Sequence, residues 1–185
     1  MRHSGTSYAA RVIELVIPDV SRQAEWLEMA EEFGPDRIDG GAMGSATVDE
    51  LRDPEVFATW VQMLLDHQRG ENLPDGFVPS TSRWVAEDGR LVGFLSIRHE
   101  LNDALREFGG HIGYAIRPSE RRKGYATAAI ALALEECRRR GIDRVLVTCD
   151  DSNVASATVI ERNGGVLEDI RGVKRRYWID LSGTP

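Results

Sequence analysis

From position 111 the chain reads HIGYAIRPSERRKGYATAAIALALEECRRR, and no other stretch restricts its folding as much. The alternation in HIGYAIRP has the period of a half-buried strand, and Pro118 stops it by removing a ladder donor. From Tyr125 to Arg140 apolar residues recur at helical spacing, cations fill the last turn, and Gly141 stands where a helix ends. A strand that passes into a helix through so short a turn brings the helix's first N–H groups beside the strand end, and those donors have no partner inside the helix. Gly124 lets the turn approach a ligand closely, while Arg121, Arg122 and Lys123 add positive charge to the favourable end of the helix dipole. The pattern predicts an anion cradle whose guest is a pyrophosphate. The plainer alternative is a solvated, basic helix start.

Two nucleotide motifs are absent from the turn. It lacks the GK[ST] ending of a P-loop, and no G-x-G-x-x-G follows a strand with an acidic residue at the expected distance. The run GGHIG at Gly109 to Gly113 is read as the start of a strand, where small residues permit a bulge or a close backbone approach.

The rest of the chain supplies further strands and helices. Residues 11–18 read as a strand, 21–33 as a helix capped by Ser21, 34–45 as a glycine-rich loop, and Asp53-Pro54 as the start of a second helix. Residues 82–86 and 91–98 flank an Asp88-Gly89 turn signal and form a hairpin. Residues 144–148 make a strand, Asn153 opens a short helix, and 166–170 with 174–181 make a closing hairpin. One core and one domain suffice for 185 residues.

Charge is unevenly spread: residues 1–110 carry 10 basic and 20 acidic side chains, and residues 111–185 carry 13 basic and 10 acidic ones. A basic half suits a phosphate-rich ligand, and an acidic half can attract a cationic amine. No basic patch is interleaved with aromatic residues, so nucleic acid is not an expected partner. No apolar run is long enough to span a bilayer and the first ten residues lack a signal-peptide core, so neither a membrane nor export is expected and the location expected is cytoplasmic. Cys137 and Cys149 read as buried small apolar residues, with Cys149 as an alternative lining of an acyl channel.

Arg121, Gly124 and Ala126 fit the pattern R/Q-x-x-G-x-G/A. With the strand before it, Pro118, the long helix, the next strand and Asn153 in order, this loop resembles the acyl-CoA site of the GCN5-related N-acetyltransferase (GNAT) superfamily over residues 81–181. The resemblance implies an α/β (mixed α+β) GNAT fold: a central twisted mixed sheet of about seven strands, splayed between strands 4 and 5 and flanked by about four helices. It implies one domain, with residues 1–80 as the acceptor half and 81–181 as the acyl-CoA half. Acetyl-CoA is the implied cosubstrate, with no metal. Its pyrophosphate would lie on Arg121, Arg122, Lys123, Gly124, Tyr125, Ala126 and Thr127, and its pantetheine would pair with the backbone of Tyr114, Ala115 and Ile116. Four or five strand residues carry that arm roughly 15 Å, which puts the thioester near Ile112 to Tyr114. A bulge in this strand would free an N–H for the thioester carbonyl. Asn153 would contact pantetheine, or serve only as a helix cap.

Two positions depart from the family. Ile160 stands where many members carry a proton-donating tyrosine, and Thr148 where some carry a glutamate. At pH 7 a thiol of pKa about 8.5 leaves as thiolate for roughly 2 kcal/mol, whereas deprotonating an amine of pKa about 10.4 costs closer to 5, so a base matters more than an acid. Glu100, His99 and His111 are the base candidates, because the end of the third strand and the start of the fourth lie side by side in a hairpin-like pair. Tyr114, Tyr177 and Trp178 are read as packing aromatics. The function implied is transfer of acetyl from acetyl-CoA to a primary amine of a small molecule or peptide by direct attack, with a covalent relay at Cys149 as a minor version. An acyl-CoA-binding sensor without chemistry is the alternative. A homodimer is compatible with such a fold, though no interface pattern is legible.

Overall fold

The structure, a computed structural model, describes residues 11–34 and 38–183. Residues 1–10, read above for a signal peptide, residues 35–37 at the start of the first glycine-rich loop, and residues 184–185 lie outside the described residues. Strands are β1 (Ile13–Val16), β2 (Ser80–Glu87), β3 (Arg90–Arg98), β4 (Ile112–Ile116), β5 (Arg144–Asp150), β6 (Val166–Arg171) and β7 (Lys174–Asp180). The α-helices are α1 (Gln23–Glu31), α2 (Pro54–Arg69), α3 (Tyr125–Arg139) and α4 (Val154–Arg162). No helix among the described residues is long and apolar enough to cross a membrane.

Local chemistry accounts for most boundaries. Asp53 accepts from the N–H groups of Glu55 and Val56, Pro54 occupies the first turn of α2, and Gly70 closes the helix at φ 76°. The first helix starts differently from the reading above. Asp19, rather than Ser21, is the cap: its carboxylate accepts from Ser21 N–H and opens a 3-10 turn that leads into α1. A short π-helix, Leu105–Gly109, fills the β3–β4 connection and has no signature in the local pattern.

Two antiparallel sheets result, ordered β1-β2-β3-β4 and β5-β7-β6. β4 and β5 are joined through α3, the crossover that a parallel pair requires. They meet at one clamp, where His111 N–H donates to the Leu146 carbonyl at 2.7 Å and Leu146 N–H donates to His111 Nδ1 at 2.9 Å. Beyond the clamp the two sheets diverge into separate ladders. The expected bulge in β4 is absent. Its register against β3 is continuous from Ile97/Ile112 to Gly93/Ile116. The small residues serve close approach instead, since a Cβ on Gly110 would stand 2.5 Å from the Leu146 carbonyl oxygen.

The core has two parts. One, with Leu95, Ile97, Ile112, Ile130, Val147 and Ile160, lies between the sheets and helices α3 and α4. The other is aromatic: Trp26 packs at 5.5 Å from Phe57, 5.0 Å from Trp60 and 5.8 Å from Phe94, between α1, α2 and the opposite face of the first sheet. Burying each such ring contributes about 2–3 kcal/mol. The core therefore grips both faces of β2 and β3 while β4 keeps an edge uncovered.

Candidate active site

Strand β4 has one paired edge and one open edge. Arg98 N–H donates to the His111 carbonyl at 2.7 Å, and Arg117 N–H to the Val92 carbonyl at 2.9 Å. Antiparallel pairing alternates, so the peptide groups of Gly113, opposite Ser96, and of Ala115, opposite Phe94, belong to β3. Those of Ile112, Tyr114 and Ile116 face the gap toward β5. Ala115 is thereby corrected as a hydrogen-bond partner for a ligand's amides, because its own N–H and C=O are engaged in the ladder. It borders the path without donating to it.

At its far end β4 passes through a 3-10 turn, Pro118–Glu120, into the basic loop. Arg122 at φ 63° and Gly124 at φ 91° both take the left-handed conformation, which gathers successive backbone N–H groups into a concavity. No side chain caps the first turn of α3, so the N–H groups there stay open to an anion. The cations are partly engaged elsewhere. Arg121 Nε donates to the Ile116 carbonyl at 3.1 Å with its guanidinium 6.0 Å above the Phe33 ring, and Lys123 Nζ lies 2.6 Å from Glu120 Oε2. Arg122 is exposed. Tyr125 turns its side chain into the core, where burial pushes its hydroxyl up to about 12. Ala126 packs on the same core, and the Thr127 carbonyl accepts from Asn163 Nδ2 at 3.3 Å. The side chains of Tyr125 and Ala126 pack on the core, and the uncapped first turn leaves its backbone N–H groups as the available donors. An uncapped helix start beside a left-handed glycine is a donor set that fits a pyrophosphate.

Across the gap stands α4. Asn153 caps it, its Oδ1 accepting from Ser156 N–H at 3.0 Å, so the capping role is realised while the amide's own N–H donors stay out of the cap. Ser156 Oγ lies 2.7 Å from the Tyr114 hydroxyl, and Cys149 is buried on β5. These three groups span β4, α4 and β5 at the mouth of the splay. Burial pushes the Tyr114 hydroxyl up to about 12 and raises the Cys149 thiol. Ser156 was not among the sequence candidates, because a serine in the first turn of a helix carries no signal without its partner on β4. Ile160 is fully buried in the core, and Thr148 Oγ1 donates to the Phe108 carbonyl at 2.8 Å.

The three base candidates are not brought together. His111 accepts Leu146 N–H on Nδ1, which places its proton on Nε2, and burial lowers its pKa to about 4. With its one lone pair committed, it clamps two strands and cannot serve as a base. His99 Nε2 lies 2.8 Å from Thr81 Oγ1, which itself accepts from Arg140 Nη2 at 2.7 Å. The three groups form a polar cluster at the C-terminal end of α3. Burial, then the Arg140 charge, lowers the His99 pKa. After β3 the chain turns away from β4: His99 N–H donates to the Pro79 carbonyl at 2.9 Å and Asn102 Nδ2 to the Gly76 carbonyl at 2.8 Å. Glu100 is carried with that turn and is exposed. The expectation that Glu100, His99 and His111 converge on the thioester end is corrected by these bonds.

Fold and site together define a class: two sheets splayed over an open strand edge that leads to an anion cradle, as in enzymes that use an acyl-CoA thioester. The sequence profile of the acetyltransferase (GNAT) family matches residues 26–165, and the chain belongs to that family. It is an acetyl-CoA-dependent N-acetyltransferase. No curated protein matches it significantly by sequence. Solved structures share its fold. Mycobacterium smegmatis RimJ, in complex with CoA-disulfide, superposes with a TM-score of 0.68 at 20% identity over 91% of this chain and 82% of its own. RimL, a ribosomal L7/L12 alpha-N-protein acetyltransferase in complex with coenzyme A, gives 0.64 at 20% identity over 92% and 96%. The microcin C7 self immunity acetyltransferase MccE, in complex with acetyl-CoA and AMP, gives 0.60 at 16% identity over 91% and 92%.

Proposed function

We propose that the open edge of β4 and the loop 121–127 hold acetyl-CoA, and that a primary amine entering from the side of residues 1–80 attacks its thioester directly. One observation carries this reading: the peptide groups of Ile112 and Tyr114 and the N–H of Ile116, which β3 does not engage, form a hydrogen-bonding edge that runs into the uncapped start of α3. Acetyl-CoA supplies the activated acetyl group. Arg122, Gly124 and the N–H groups of Tyr125, Ala126 and Thr127 hold the pyrophosphate, with Arg121 and Lys123 bracing the loop from either side. The edge pairs with pantetheine like an added strand, and the amide of Asn153 reaches the same arm. Tyr114 N–H faces the carbonyl where negative charge develops, and holding the reactants there supplies much of the acceleration. The Tyr114–Ser156 hydroxyl pair donates a hydrogen bond to the departing sulfur, in place of the tyrosine that Ile160 replaces.

Both cysteines are free thiols, in keeping with a cytoplasmic location. Direct attack needs no covalent relay. Cys149→Ser is therefore expected to keep turnover within about twofold in steady-state assays, since serine is close to cysteine in size and removes only the thiol nucleophile; a loss of several hundredfold would revive the relay.

The acceptor is tested by CoA release from acetyl-CoA against polyamines, aminoglycosides, amino acids and peptides with free α-amines. Peptides are included because RimL, which shares the fold, is an alpha-N-protein acetyltransferase. Release that depends on one amine class supports the reading. Calorimetric binding of acetyl-CoA with no release from any amine would replace it with a sensor.

A further inference from the structure

The turn that leads from β4 into the cradle is held from outside, by the C-terminal end of α1. Glu32 accepts four hydrogen bonds from that turn. Its Oε1 takes Arg117 Nε at 2.7 Å, Arg117 Nη2 and Ser119 Oγ at 3.0 Å, and its Oε2 takes Ser119 N–H at 3.0 Å. Arg117 is buried, its side chain 3% exposed, and its Nη2 also reaches Glu28 Oε1 at 2.8 Å. The bond from Arg117 is the main cause that holds the Glu32 carboxyl down to about 2, so this group is an anion at neutral pH. The next residue, Phe33, lies 6.0 Å beneath the Arg121 guanidinium and packs at 5.7 Å on Phe94 of β3. At the other end of β4 the same side of the strand is met by Gly40, where a Cβ would stand 2.5 Å from the Gly113 carbonyl oxygen.

A carboxylate is an unfavourable neighbour for a site that takes a pyrophosphate, since its charge opposes the ligand's. Pairing with the buried Arg117 offsets that charge. What remains is direction: Ser119 is fixed at two atoms, two residues before Arg121, so the chain enters the left-handed residues Arg122 and Gly124 from a set point.

We propose that Glu32 is a positioning residue for acetyl-CoA: through Ser119 and Arg117 it sets the course of the turn, and so the direction in which the loop 121–127 presents its N–H groups to the pyrophosphate. The proposal rests on the reading that this loop holds the cofactor and adds the residue that aims it.

The test measures the affinity of wild type, Glu32→Gln, Glu32→Asp and Ser119→Ala for acetyl-CoA by calorimetry, and for S-acetyl-pantetheine, which carries the arm without the pyrophosphate, by protein NMR titration. Glutamine offers one acceptor oxygen and sets an NH2 group against the donors of the turn. Glu32→Gln is expected to weaken acetyl-CoA roughly 10-fold and to leave S-acetyl-pantetheine unchanged. Glu32→Asp recovers part of the loss, and Ser119→Ala, at an exposed residue, gives a smaller loss of the same sign. Charge alone predicts the opposite sign, because Glu32→Gln removes a negative charge near an anion. Unchanged or tighter acetyl-CoA binding in Glu32→Gln, with Gly124→Ala still weakened, would overturn the assignment alone. Equal losses for both thioesters would also overturn it, by showing that the ion pair only holds the fold. Acetyl-CoA affinity indifferent to both Glu32→Gln and Gly124→Ala would overturn it together with the cradle reading.

Discussion

Replacing His111 by phenylalanine is expected to lower thermal stability markedly while leaving the ring's volume in place. The ring nitrogen that accepts Leu146 N–H disappears, and Leu146 is fully buried, so its donor is left without water or partner. An orphaned buried donor costs about 1–3 kcal/mol, or roughly 3–10 °C in the melting temperature of a chain this size. The same substitution changes the pH response. Burial first, then the charges of Arg106 and Arg98, lowers the folded-state pKa of His111 from 6.5 to about 4. Protonation therefore favours the unfolded chain. The imidazole's contribution is complete above pH 6.5 and drains away as pH falls toward about 4. His99 is shifted in the same direction, so the difference between wild type and variant across that window isolates His111. Melting curves at several pH values check this, and a variant as acid-sensitive as the wild type would show that the clamp carries no such term.

Gly124→Ala is expected to weaken acetyl-CoA binding about 10-fold with little effect on the rest of the fold. No atom lies within 4 Å of the position a Cβ would take, so size is not the constraint. The constraint is φ at 91°, which costs a residue with a Cβ about 1–2 kcal/mol. Relieving that cost rotates the peptide groups at the start of α3 and spoils the concavity offered to the pyrophosphate. Calorimetry with acetyl-CoA reads the loss, and an unchanged affinity would mean that the cradle's backbone does not contact the ligand.

The unit from 111 to 140 was legible because strand alternation, Pro118, Gly124 and a helical apolar stripe are local signals of local structure. The individual strands and helices followed from the same kind of evidence, along with turn residues such as Asp88-Gly89, while the splay between strands 4 and 5 was implied by the family resemblance. The chemistry was less legible. A histidine that clamps two strands and one that takes a proton look alike in sequence, and only the Leu146 N–H aimed at Nδ1 tells them apart for His111. Glu100 lies two residues past the end of β3, and the bonds of its neighbours His99 to Pro79 and Asn102 to Gly76 carry it away from β4, with partners some 20 or more residues earlier in the chain. Ser156 meets Tyr114 across 42 positions, and Gly40 meets Gly113 across a longer separation still, so neither contact leaves a pattern in its own neighbourhood. Backbone alternation along β4 is the intermediate case. The strand was visible, but which of its peptide groups stay free depends on the register against β3.

That register offers the most direct test. Residue-resolved amide hydrogen exchange, measured with and without acetyl-CoA, distinguishes the peptide groups that face the gap from those already bonded in the sheet. The account predicts new protection at Tyr114, Ile116 and the first-turn amides of Tyr125, Ala126 and Thr127, with Gly113 and Ala115 unchanged. Acetyl-CoA binding that protects a different surface, or leaves the β4 edge and the start of α3 exchanging as before, would contradict it.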